Sequence, residues 1–183
     1  MTFLPDDPFQ VPHGAVEFAY EMMKQICWLP HPHTVAAFGN APVFLNMGSL
    51  DTRYVKQAFT WSQDKVSIGE GWSLAKVFDD TVLAAHLGNL VLIQSWAVGL
   101  AQSNGPMSAF LQHHAQQTYK LNCDLDPIEW PKGYEPISWN YLPITLDPKA
   151  NILKRIEGRH SKGRPPKKPN LRLLDMIAHW NDV

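Results

Sequence analysis

The sequence predicts a mainly α protein: an irregular helical domain, a proline- and aromatic-rich extended segment, and a basic C-terminal arm followed by a final helix. Three observations predict it. Apolar residues recur every three or four positions through much of residues 13–119, residues 122–148 contain five prolines, and nine of the 16 lysines and arginines fall between 149 and 173. With 183 residues, 45% of them hydrophobic, the chain has enough apolar material for a real core, which excludes a wholly disordered protein. Charged residues make up only 18%, below the roughly 25% usual in soluble domains, so apolar surface remains for a protein partner to cover.

Residues 13–28 follow Pro12 and place Val16, Ala19, Tyr20, Met23, Ile26 and Cys27 at helical spacing. The prolines of "PHPH", Pro30 and Pro32, stop that helix. Two short apolar runs around Gly39 and Asn40 then suggest a hairpin or a buried irregular turn. Ser49 is placed to cap a helix whose inner face carries Leu50, Tyr54, Ala58 and Trp61. "DKVSIGEGW" reads as a turn or a short edge strand. Ser73 is expected to cap a helix over 74–87, with Leu74, Val77, Phe78, Thr81 and Ala85 recurring along it. Gly88 and Asn89 interrupt that helix before a more apolar one over 90–102. Gly105 and Pro106 open a further helix through Tyr119, with Met107, Phe110, Leu111 and Ala115 inward.

The prolines of 122–148 exclude regular helix there, and Trp130, Tyr134, Trp139 and Tyr141 are expected to lie over the core as an extended cover. "KANILKRIE" forms a short basic helix ending at Gly158. Asn170 is placed to cap a last helix whose stripe of Leu171, Leu174, Ile177 and Ala178 must dock on the core or on another protein. The organisation is therefore a globular region 1–148, a basic helix and arm 149–170, and a docking helix 171–183.

The net charge of −1 conceals a segregation. Residues 1–148 hold 14 acids and seven bases, whereas residues 149–173 hold nine bases against the single acid Glu157. Asymmetry of this kind points to a polyanion or an acidic protein surface. Its densest part, "KGRPPKKP" at 162–169, resembles the AT-hook, a short DNA-binding motif with a Gly-Arg-Pro core, here Gly163, Arg164 and Pro165, flanked by Lys162, Lys167 and Lys168. Pro166 stands where that motif often has another arginine or lysine. The resemblance covers these eight residues and implies an extended core in the minor groove of AT-rich DNA, with the arginine inserted.

Physical chemistry points the same way. Three prolines hold the segment extended and reduce the entropy lost on binding. A narrow minor groove attracts arginine, and lysines displace counterions from phosphates. Lys154, Arg155 and Arg159 extend the track toward the preceding helix. The bland alternative is a solvated hinge between two helices.

No other motif assembles a site. Cys27, His31 and His33, with His113, His114 and Cys123 as a second group, lack the paired spacing of structural zinc. Asp79 and Asp80, adjacent on an expected helix, splay by about 100 degrees and cannot share an ion. Asp124 and Asp126 lack a neighbouring glutamate and lysine that would complete a nuclease site. "SIGEGW" lacks the Lys-Ser/Thr ending of a phosphate loop. The longest apolar run, residues 87–101, contains Asn89, Gln94 and Ser95 and is too short to span a bilayer, and the N-terminal stretch has no secretory pattern.

The reading is a non-enzymatic protein, without cofactor, that contacts DNA through Arg164, Lys162, Gly163, Pro165, Lys167, Lys168, Arg159, Arg155 and Lys154, docks on protein partners, and acts within a nucleoprotein complex. The alternatives are an interaction module whose arm binds an acidic protein and, third, a small metal-dependent enzyme. The expected location is cytoplasmic or nucleoid-associated, or nuclear in a eukaryote.

Overall fold

The computed structural model describes residues 13–39, 41–44, 52–63, 66–79, 83, 85–102, 106–121, 138–157 and 171–181. Among them the helices are α1 (His13–Ile26), α2 (Pro32–Ala36), α3 (Thr52–Ser62), α4 (Val98–Gln102), α5 (Pro106–Tyr119), α6 (Pro148–Ile156) and α7 (Leu171–Ile177). One small antiparallel sheet joins them, with strands β1 (Cys27–Trp28), β2 (Trp72–Lys76) and β3 (Leu90–Gln94) in the order β1-β3-β2. The protein is thus mainly α, as its periodicity predicts.

The sheet is the principal correction to the sequence reading. Where helices over 74–87 and 90–102 were expected, residues 72–76 and 90–94 pair as strands, and Ser73, the expected cap, lies inside β2 opposite Ile93. The physical reason lies in β3, whose Leu90, Val91, Leu92 and Ile93 are all buried. A central strand covered on both faces is a continuous apolar run, and periodicity cannot separate it from a buried helix. The interruption at Gly88 and Asn89 does occur, as a 3-10 turn over Leu87–Asn89, and helix resumes in α4. Gly88 has a second role, because a Cβ there would lie 2.8 Å from the Tyr119 ring.

Two smaller differences concern helix ends and faces. Cys27 and Trp28 leave the first helix to pair with Ile93 and Leu92, so α1 stops at Ile26. The expected hairpin around Gly39 is instead the short helix α2, with Pro32 in its first turn and the His31 Nδ1 accepting the His33 N–H at 3.1 Å. Gly39 ends the following turn at a φ of 59°, where glycine is unstrained. The expected caps Ser49 and Asn170 and the helix end at Gly158 lie outside the described residues, while Asp147 caps α6 by accepting the Ala150 N–H at 2.9 Å.

The core gathers from every part of the described chain. Met23, Leu29, Phe44, Phe59, Leu90, Ile93 and Leu111 are fully buried, and Ile152 of α6 and Leu173, Met176 and Ile177 of α7 join the same cluster. Each such side chain stabilises the fold by roughly 1.5–3 kcal/mol relative to exposure. The last helix docks on its own chain by a face rotated from the expected stripe: Leu173, Met176 and Ile177 are buried, whereas Leu171 is 72% exposed.

Candidate functional site

Residues 138–147 run without helix, as their prolines require, and are tied down by polar contacts. Tyr20 Oη donates to the Ser138 carbonyl at 2.7 Å, and the Asn140 amide donates to the Lys24 carbonyl. Leu29 N–H donates to the Asn140 carbonyl at 2.9 Å, and Leu142 N–H donates to the Leu29 carbonyl at 2.8 Å. The segment therefore lies parallel to the chain beside β1, in a bridge between Leu29 and Tyr141. This carries Leu142 and Pro143 to the margin of the sheet.

The register completes the site. Trp28 and Leu74 both pair with Leu92, and Trp72 pairs with Gln94, so alternation puts Trp28, Leu92, Trp72 and Leu74 on one face. On that face a cleft of about 470 Å³ is lined by Trp28, Trp72, Leu92, Leu142 and Pro143 together with the loop of Val66, Ser67 and Gly69. None of the lining residues is charged. Trp28, at 38% exposure, leaves indole surface open. Gly71, at a φ of 78°, turns the chain into β2 and accepts the Ser95 N–H at 2.8 Å. Glu70, exposed in that turn, stands between the lining residues Gly69 and Trp72. Two indoles over an apolar floor can hold a flat or ring-shaped apolar group.

The sequence reading missed this cleft. Its signal was the alternation of "WSLAK" after a Gly-Glu-Gly turn, which a helical assignment of 74–87 concealed.

A second constellation surrounds His114. Its ring is buried on α5, with centroids 5.0 Å from Tyr119, 5.2 Å from Trp139 and 5.8 Å from Tyr141. Nδ1 shares a hydrogen bond with Thr118 Oγ1 at 3.3 Å, and Nε2 lies 3.5 Å from Tyr141 Oη. Burial, reinforced by the neighbouring His113, pushes its pKa down to about 4, so the imidazole is neutral at pH 7. His31 also packs on Tyr141, at 5.6 Å. The two histidine groups noted in the sequence therefore do converge, but as rings packed around a tyrosine.

Cys27 is engaged elsewhere. Its thiol donates to the Met23 carbonyl at 2.8 Å, and burial pushes its pKa up to about 12, far from the thiolate that a metal or an electrophile requires. Tyr119 Oη donates to the Pro30 carbonyl at 2.6 Å. Among the described residues no three His, Cys, Asp or Glu side chains are grouped to hold a metal ion. Asp79 is exposed and pairs with Lys76 at 3.4 Å, and Asp80, Cys123, Asp124 and Asp126 lie outside the described residues.

Of the expected DNA-contacting residues, Lys154 and Arg155 are exposed in the last turn of α6. Arg159, Lys162, Gly163, Arg164, Pro165, Lys167 and Lys168 lie outside the described residues. Two neighbouring cations are turned onto the fold itself: Lys149 lies 5.8 Å from the Trp180 ring centroid, and Arg172 5.4 Å from that of Tyr54. Among the described residues no helix is long and apolar enough to cross a membrane. No protein-family model, curated protein or solved structure matches the chain.

Proposed function

We propose that the basic segment beginning in the last turn of α6 is a nucleic-acid-contacting arm, and that the protein is a non-enzymatic, DNA-associated component of a larger assembly. The observation that carries this reading is charge: nine bases against one acid in residues 149–173, beside a remainder that is acidic. Lys154 and Arg155 support it. Both are exposed, and neither takes part in the two ion pairs found among the described residues, Lys24 with Glu21 and Lys76 with Asp79.

Their position at the C-terminal end of α6 does complement the helix dipole, at about 0.3–1 kcal/mol per cation. That accounts for two residues and leaves the density of the following run unexplained. Counterion release from DNA grows with every phosphate neutralised, so a dense run is what a polyanion rewards. In this reading Arg164 enters the minor groove while Lys162, Lys167 and Lys168 contact phosphates.

Fluorescence anisotropy with AT-rich and GC-rich duplexes tests the reading. The whole chain is expected to bind the AT-rich duplex more tightly, and Arg164→Ala is expected to erase that preference. Unchanged duplex affinity after deletion of residues 159–169 would remove the arm from the account. Binding to polyglutamate with none to either duplex would make the partner an acidic protein.

A further inference from the structure

The cleft between Trp28 and Trp72 has a chemistry that a basic arm does not use. We propose that it is a docking groove for an extended, proline-rich peptide carrying a basic residue, supplied by a partner protein. The inference is independent of the nucleic-acid reading.

Three features carry it. The first is shape and surface: two indoles, one on β1 and one on β2, flank an apolar floor at Leu92, and Leu142 and Pro143 form the margin beside β1. A polyproline-II helix presents flat pyrrolidine rings three residues apart to such walls, and its locked φ means that little conformational freedom is lost on docking. The second is the absence of charge in the lining, which suits rings that carry no backbone donor. The third is the carboxylate of Glu70, exposed in the turn between the lining residues Gly69 and Trp72.

Charge complementarity decides the occupant. Unpaired bases also stack on indoles, but each brings a phosphate. Beside Glu70 that phosphate would meet like charge, and Lys76, the cation of β2, sits at the other end of the strand paired with Asp79. An arginine or lysine flanking a proline ridge meets an attractive charge at the same place.

The test uses the full chain and a fluorescein-labelled hexaproline peptide ending in arginine, titrated to about 1 mM protein. Saturable binding is expected. Trp28→Ala should weaken it about 30-fold, the effect of removing an aromatic anchor, whereas Trp96→Ala, an exposed indole outside the cleft, should not. Glu70→Lys, in an exposed turn where folding is undisturbed, should weaken the arginine-ended peptide about two- to fivefold and strengthen a glutamate-ended one. Absence of saturation, equal binding by wild type and Trp28→Ala of intact circular dichroism, or an unaltered charge preference in Glu70→Lys would each overturn the proposal. So would displacement of the peptide by oligothymidylate, which would make the cleft a base-stacking site.

Discussion

Asn89 shows how one polar side chain can organise a fold. It is fully buried, its amide donates to the carbonyls of Phe78 and Leu83 at 3.1 Å, and its Oδ1 accepts the Phe78 N–H at 2.8 Å. These bonds fasten the exit of β2 to the entry of β3. Replacement by alanine leaves three buried backbone groups without partners, at about 1–3 kcal/mol each. Asn89→Ala is therefore expected to lose about 3 kcal/mol or more in urea unfolding, and a loss below about 1 kcal/mol would refute this role. At the same scale His114 makes stability depend on pH. Its folded pKa, about 4, lies below the ordinary 6.5, so the unfolded chain binds the extra proton and stability falls as pH drops from 6.5 toward 4. Between pH 7 and 5 the wild type should lose about 2 kcal/mol more than His114→Phe, since the titration of the carboxylates is common to both. Parallel curves would contradict it.

Elements were legible where their periodicity was unshared with any other structure. The spacing of Phe110, Leu111 and Ala115 on α5 identifies a helix with that face inward, and all three are buried. The prolines of 138–147 likewise forecast the irregular path that brings Trp139 and Tyr141 against the core. β3 was not legible, because four consecutive buried residues fit a strand and a helix equally, and only pairing with β1 and β2 decides between them. For α7 the helix was legible but its face was not: the stripe with Leu171 and the stripe with Leu173 and Met176 are both apolar, and the shape of the core selects the second. Met176→Ala is expected to cost about 2–4 kcal/mol and Leu171→Ala less than about 0.5 kcal/mol in thermal or urea unfolding. The reverse order would mean that α7 docks by its other face.

For the whole molecule, the distribution of charge was legible from the sequence alone, whereas the indole cleft was not. A count of lysines and arginines needs no geometry. The cleft depends on strand register, on the bridge between Leu29 and Tyr141, and on the turn at Gly71, which together gather residues from 28 to 143. The two features give the molecule one surface suited to a polyanion and another suited to an apolar ring. The most direct measurement of the first is the affinity of the full chain for an AT-rich duplex across a salt series. If about five cations of the arm touch phosphates, log affinity should fall against log salt with a slope near −4 to −5, and Arg164→Ala should flatten that slope by about one. A slope near zero, or one that deletion of residues 159–169 leaves unchanged, would contradict the account.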